Sequence, residues 1–512
     1  MRQIYFLATG VLAWTGDSSD DSHVAISHIL EVSTAVGVEE EGLDLFEPTL
    51  GRVRFDPTTG LTPQQLLQVG LDVENMNWAA IWSFLNRPYW GRIWVLQELA
   101  TCGVVRRQLE DRCAVGCGST WMPKRFVDAT VLLTLMIQQS ITVWSDFHHI
   151  AEPVRTLLSK GLPLAWQMFM ALSQLPPPPE IDHDGGQALS WLLRTTKAFR
   201  ATDPRDKVYA LLGLVRKRDQ AFIVRPDYSL PKESVFTSLV IAAIKDMLSL
   251  EILEGNRKLT NDFGPSWIPE LQDGASTGPS LLNSQGDYRA SAELEADVSV
   301  DEQASLLSVR GFRLGVVRES IGPWIVSGTT QGDLSSGRSA FEARGHDIPM
   351  RQLMAFSDKL PENQRETFWR ALVVDKDYSG MGNEISPAPV EFERMYRVMF
   401  GLDEIPEDFQ PDKEEFDRAC QFMLPFERNL VQTQMDRCFI CTEDGRMGWG
   451  PMCARPGDEV VILLGGSFPF VLRLKGQHYE LIGDAYVQGV MRGEYVDEVF
   501  DELYPGEWFT LC

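Results

Sequence analysis

The chain has 512 residues, too many for one hydrophobic core, and length alone points to roughly three domains. With 44% hydrophobic residues, 14 Trp and 26 Phe, it can bury enough surface to exclude disorder on the whole-chain scale. Its 47 basic and 72 acidic residues leave a net charge of −25, a field that repels phosphate and argues against nucleic acid or an anionic membrane surface as partner.

The longest apolar runs, VLLTLM at 131–136 and VVILLGG at 460–466, fall far short of the ~20 residues that span a bilayer. The opening MRQIYFLATGVLAWTG is leader-like only on the surface. It lacks an A-x-A cleavage site, and the acidic DSSDD follows at once. Eight cysteines are too sparse for a disulfide scaffold, so the expectation is a cytoplasmic, reduced protein.

In chain order, a helix end leads into a short buried strand, VLAWTG, closed by Gly16 and a Ser/Asp loop. HVAISHILEVSTAV (23–36) has the spacing of an amphipathic helix, and helical material resumes in TPQQLLQVGLDVENMNWAAIWSFLN. A helix then starts in RPYW, with Asn86 as its cap and Pro88 in its first turn, and Gly103 stops it before a strand in VVRRQL. Residues 124–175 read as helical, and LPPPPEIDHDGG reads as a stiff surface linker. In ATDPRDKVYALLGL, Asp203 is a natural N-cap, Pro204 suits the first helical position and Asp206 completes a capping box, with Gly213 as the stop. Helix-start chemistry accounts for three of the DPRD residues and leaves Arg205 over as an ion-pair partner for an inward acid.

Further on, KESVFTSLVIAAIKDMLSL is an apolar-faced helix, and ASLLSVRGFRLGVVRES (304–320) alternates like a pair of short strands. Residues 327–347 read as a loop, and 348–430 as mainly helical and acidic, the charge run being a solvated face. From 431 the text turns to strands punctuated by Pro-Gly-Asp, Gly-Gly and Lys-Gly, which predicts a small antiparallel meander or barrel closed by the acidic tail EYVDEVFDELYPGEW. The expected divisions are 1–123, 124–255, 256–325, 326–430 and 431–512. There is no P-loop, no GxSxG and no HExxH, and the seven histidines suggest no triad. CFIC (438–441) with Cys453 lacks a nearby fourth ligand, so buried thiols are expected there and no metal.

The stretch RPYWGRIWVLQELA (87–100) carries the candidate chemistry. Read as one helix, it puts Trp90, Trp94 and Glu98 on a single stripe pointing inward. Two indoles around a carboxylate would desolvate it and raise its pKa, as catalytic carboxylates require. The same pattern suits a partly buried Glu–Arg pair that only orients the helix, with Arg87, Arg92 and Arg205 as partners.

MRQIYFLATGVLAWTG, RPYWGRIWVLQELA, ATDPRDKVYALLGL, VRPDYS, GPSWIPEL and GWGPMCARPGDEVVILLGGSFPFVLRL…YELIGDAYVQGVM, in that order, resemble the fungal heterokaryon incompatibility (HET) domain proteins along nearly the whole chain. That family is tied to non-self recognition between fungal individuals and to regulated cell death. In the family's pattern a Ser-Tyr-x-Trp-Gly strand and an Ile-Asp-x-x-Cys-Ile-Asn-Gln segment precede the helix that holds Met1, Ile4 and Tyr5 here. The resemblance therefore implies an N-terminally truncated domain.

HET domains are in turn thought remotely similar to Toll/interleukin-receptor (TIR) domains, flavodoxin-like α/β units of which some cleave NAD at its nicotinamide–ribose bond. The glutamate they use lies in a Trp-x-x-x-Glu-Leu helix, which Trp94–Leu99 matches. The resemblance thus implies Glu98 as catalytic acid, Trp90, Trp94, Arg87, Arg92 and Arg205 as its support, and NAD as a substrate rather than a bound cofactor. An oxocarbenium-like state at the ribose is what such a carboxylate would stabilise. The expected fold is an α/β N-terminal remnant, TIR- or flavodoxin-like, followed by a helical middle and a C-terminal β unit. Alongside the enzyme reading stands a non-catalytic interaction module that binds a protein partner or associates with itself.

Overall fold

A computed structural model describes residues 4, 8, 10–37, 43–44, 49–50, 53–54, 61–100, 113–141, 163–173, 175, 189–215, 225–255, 257, 264–269, 288–303, 305–323, 348–380, 383–409, 422–423, 425–427, 429–430, 433, 437–500 and 506–512. The chain is mixed α and β and divides into two compact units, one built on residues 1–221 and the other on most of 222–512. The strand expected in VVRRQL, the linker after Leu175 and the loop at 327–347 lie outside the described residues, as does much of the acidic run after 409.

In the first unit, β1 (Val11–Trp14) alternates as a half-buried strand must. Val11 and Ala13 are inside, while Leu12 is 73% and Trp14 49% exposed, so the strand is buried on one face only. α1 (Ser22–Val36) buries Ala25, Ile26, Ile29, Val32, Ser33 and Val36 along one stripe and ends on the left-handed Gly37. After it come α2 (Pro63–Gln68), opened by a Thr62–Gln65 capping box, α3 (Trp78–Leu85) and α4 (Ile93–Ala100).

β1 pairs in parallel with β2 (Cys113–Cys117), and β2 runs antiparallel to β3 (Thr120–Pro123). α5 (Lys124–Ile141) packs against β2 and β3, and α1 packs against both α3 and α5. The inner face of this sheet is Val11, Ala13, Cys113, Val115, Cys117 and Met122, all buried. On the other face the register sets Trp14, Gly116 and Trp121 in one row. Only glycine suits position 116, because a Cβ there would sit 2.6 Å from the Trp121 ring. The unit also holds α6 (Leu164–Ser173), α7 (Leu189–Thr195) and α8 (Asp206–Tyr209).

The second unit contains α9 (Lys232–Met247), the expected apolar-faced helix, then β4 (Val298–Asp301) and β5 (Leu306–Ile321). β5 corrects the reading of 304–320 as two short strands: it is one continuous strand that changes partners along its length. Leu307–Gly311 pair with β12 (Glu507–Leu511), Gly311–Val316 with β8 (Glu459–Leu463), and Val317–Ile321 with β6 (Arg437–Thr442). Gly311 is the hand-over point, where a Cβ would lie 2.4 Å from the Ile462 carbonyl oxygen. Alternation with a central glycine suggests two strands, whereas the long-range pairing makes one.

β8, β9 (Phe470–Lys475) and β10 (His478–Asp484) form an antiparallel meander. β10 then meets β12 in parallel at Tyr479 and Leu511, and this closes a ring β5–β8–β9–β10–β12. The segment expected as a closing acidic tail begins as a helix, Glu494–Val499, and only its last two residues enter the ring strand β12. β6, β7 (Met447–Pro451) and β11 (Tyr486–Val487) extend the sheet from the far end of β5. Helices α10 (Ile348–Asp358), α11 (Glu362–Leu372) and α12 (Glu391–Met399) follow β5, and Trp449 of β7 donates its indole N–H to the Leu372 carbonyl at 3.2 Å.

Two ion pairs are sealed into this unit. Arg437 donates to Asp484 at 2.6 Å, with 2% and 1% of the side chains exposed, and Arg473 holds Asp458 through two bonds of 2.8 Å. Arg257, also buried, is ringed by the carbonyls of Leu253, Glu254, Gly255 and Ser266. Desolvation pulls its pKa down to about 10, against the opposing charge of Asp484. Among the described residues no helix is long and apolar enough to cross a membrane, and no group of three or more His, Cys, Asp or Glu could hold a metal.

Candidate functional site

The predicted stripe of Trp90, Trp94 and Glu98 is broken by the backbone. Residues Pro88–Gly91 form a 3₁₀ turn, Arg92 is extended, and α4 begins only at Ile93. The break has a cause far along the chain. Arg200 donates its N–H to the Gly91 carbonyl at 2.6 Å and accepts from the Ile93 N–H at 3.0 Å, a short parallel bridge that diverts both groups from a helical ladder. Asn86 does not open this helix. It closes α3, donating to the Trp82 carbonyl at 3.1 Å and accepting from the Leu164 N–H at 3.3 Å.

Trp90 therefore faces a different way from Trp94 and Glu98. Its indole, 2% exposed, donates to the Phe84 carbonyl at 3.3 Å and packs edge-on to Tyr89. Within α4 the buried residues are Ile93, Val95, Leu96, Gln97 and Leu99, and the helix packs against α6 and α8. Trp94 and Glu98, one turn apart, are half-buried and form the partly open stripe of an otherwise enclosed helix. Glu98 is thus not the inward acid that a continuous helix would make it.

None of the three arginines pairs with it. Among the described residues, Glu98 has neither an ion pair nor a side-chain hydrogen bond. Arg92 is exposed and takes part through its backbone. Arg205 turns back on Asp203, with bonds of 2.9 and 2.7 Å between the side chains, and Asp203 also accepts the Arg205 N–H at 3.0 Å. That fork holds the Asp203 carboxyl below its usual pKa, against a smaller desolvation effect. Asp203 thus caps a turn ahead of α8, which runs only from Asp206 to Tyr209 with Arg205 at its N-cap position.

Arg87 is the residue the structure brings to a strand end. Its guanidinium donates to the Asp17 carbonyl at 2.8 Å, to Ser22 Oγ at 2.8 Å, and more distantly to the Thr15 carbonyl and Ser19 Oγ, both at 3.4 Å. The loop it grips leaves the carboxyl end of β1, where ligand sites of open α/β sheets lie. Thr15 donates twice to the Gly116 carbonyl, at 2.8 and 2.9 Å, which ties the loop to β2. The Ser19 hydroxyl, with Ser83 and the Arg87 charge, holds the Asp21 carboxyl below its ordinary pKa, while burial works the other way. Ser19, Asp21 and Ser22 were not foreseen as members of this network. Their signal was the Ser/Asp run directly after a strand.

The CFIC thiols are separated by strand geometry. Cys438 and Cys441 are three apart on β6, so they project to opposite faces. Both are buried, and burial pushes the Cys438 thiol up to about 11 and raises that of Cys441.

Comparison with known proteins adds a family context at both ends. The family described as Heterokaryon incompatibility protein (HET) matches residues 1–98, a span that ends at Glu98. The Het-6 beta-barrel domain matches residues 423–502, which takes in β6 to β11 but neither β5 nor β12 of the closed ring. Heterokaryon incompatibility protein 6, OR allele, of Neurospora crassa is 25% identical over 564 aligned positions, covering 97% of this chain and 78% of that protein. No solved structure gives a significant match.

Proposed function

We propose, given that the chain is a fungal heterokaryon incompatibility (HET) domain protein, that it acts in cytoplasmic non-self recognition between fungal individuals and in the regulated cell death that follows. The observation that carries this reading is the similarity to heterokaryon incompatibility protein 6 along 97% of the chain. The free thiols among the described cysteines fit a reducing compartment.

For mechanism, the first unit descends in this reading from a TIR-like α/β domain, and Glu98 is the acid of an NAD-cleaving site. Three features support it: the parallel β1–β2 pair, the polar loop at the carboxyl end of β1, and a half-buried carboxylate that no arginine neutralises. Glu98 would stabilise positive charge developing on the ribose as the nicotinamide leaves, and Trp94 on the same stripe would offer a ring face. The test is NAD loss by the purified full chain beside Glu98→Gln. Turnover that disappears in an equally stable variant supports the reading, and absence of turnover in both removes it.

A second reading, a non-catalytic module that binds a protein partner or itself, is favoured by one surface. Leu12, Trp14 and Trp121 stand 73%, 49% and 44% exposed on one face of the first unit's sheet. Replacing Trp14 and Trp121 by polar residues in the fungus separates the two. Loss of the incompatibility reaction with NAD turnover intact favours the interaction module.

A further inference from the structure

The thiols of the second unit show a relationship that the family reading does not use. Cys438 lies opposite Gly450 in the antiparallel β6–β7 pair. Beyond Gly450 the chain reverses at once, with the Ala454 N–H donating to the Pro451 carbonyl at 2.9 Å. The reversal lays Ala454, the residue after Cys453, back beside Gly450, where a Cβ would stand 3.4 Å from Ala454 Cβ. The Cys438 thiol donates to the Met452 carbonyl at 3.2 Å, so it already touches the peptide unit that precedes Cys453.

The surroundings fix this arrangement. Ser320 Oγ of β5 donates to the Ala454 carbonyl at 2.9 Å, and Arg473 of β9 donates to the Cys453 carbonyl at 2.8 Å while gripping Asp458. The two residues differ in exposure: Cys438 is 2% exposed, whereas Cys453 is half-buried. Cys441 is on the opposite face of β6, where its sulfur accepts from Arg318 at 3.3 Å, and is no competitor.

We propose that Cys453 and Cys438 are a reversible redox pair that closes a disulfide between β6 and the β7–β8 turn when the protein meets a peroxide. The Cys453 sulfur attacks one peroxide oxygen. The O–O bond breaks, a sulfenic acid forms and water leaves with the thiol proton. The Cys438 sulfur then attacks the sulfenic sulfur, the S–O bond breaks, and hydroxide takes the second thiol proton as water. In sum two thiols and one hydrogen peroxide give one disulfide and two waters, and a dithiol reductant reverses it. Closure ties the turn that carries Cys453, Asp458 and their Arg473 clamp to β6, a peroxide-dependent stiffening at one end of the ring.

The test treats the full-length protein with hydrogen peroxide, then maps its thiols by alkylation under denaturing conditions and peptide mass spectrometry. The expected product is a Cys438–Cys453 linked peptide, lost with dithiothreitol, absent from Cys453→Ser and retained in Cys512→Ser. Thermal unfolding of untreated Cys453→Ser confirms that this half-buried position leaves the fold intact. A midpoint that rises on peroxide treatment in the wild type but not in Cys453→Ser supports the pair. Cys453 oxidised to sulfinic acid while Cys438 stays alkylable overturns it, as does a disulfide that joins either residue to a different cysteine.

Discussion

Arg87 and Ser22 meet at 2.8 Å, so the arginine that sequence spacing put three helical turns before Glu98 is fastened instead to the loop after β1. Arg87 stands just ahead of the 3₁₀ turn at Pro88–Gly91, with its guanidinium over the Phe84 ring of α3 at 5.7 Å. Two functions that a continuous helix would merge are thereby separated: Arg87 shapes the end of the strand, and Glu98 has no counter-ion among the described residues.

Glu98→Gln should be nearly neutral for stability. A half-buried side chain with no hydrogen bond or ion pair leaves nothing orphaned when its charge is removed, so the change should stay within about 0.5 kcal/mol. A denaturant midpoint for the variant checks this, and it is what allows any loss of NAD turnover to be read as chemistry.

Arg87→Met should loosen the first unit by about 2–3 kcal/mol, because the Asp17 carbonyl and Ser22 Oγ lose a charged donor together. Lysine at 87 should recover only part of this, since one ammonium cannot span both acceptors as the fork does. Hydrogen exchange at Thr15–Ser22 would show the loop opening before the rest of the unit.

Asp484→Asn should cost more, about 3–5 kcal/mol, since it leaves the buried Arg437 guanidinium without its counter-ion and removes the opposite charge facing Arg257. Arg437→Met combined with Asp484→Leu should be milder than either single change. Additive losses in a double-mutant cycle would contradict this.

A pH effect follows from Cys438. Burial raises its thiol pKa from 9.0 to about 11, so the folded state keeps a proton that the unfolded chain releases earlier. This contribution is fully present below pH 9 and is lost between 9 and about 11, by about 3 kcal/mol at most. Cys438→Ala should flatten that part of the unfolding free energy against pH.

Much of the helical architecture was legible because its information is local. The 3.6-residue stripe of α1 and the apolar face of α9 needed no distant partner to be read. What escaped was set by pairing across the chain. The alternation of 304–320 gave no hint that four strands share β5, and nothing near Gly91 announces Arg200. The candidate site followed the same division. Trp94 and Glu98 do share a stripe at their four-residue spacing, whereas Trp90 left it when a tertiary bridge reset the phase. Asp203 and Arg205 satisfied each other two residues apart, an outcome that capping rules alone do not anticipate.

The place of β12 in the ring has a consequence for biosynthesis. β5 leaves the ribosome while its neighbour at Glu507–Leu511 is still untranslated, so its first half waits without that partner until residues 507–511 have been made. A nonsense codon between β5 and residue 507 would leave one edge of Leu307–Gly311 without its strand partner, a row of unpaired backbone groups. Completion of the ring therefore depends on reading the message through to residue 511.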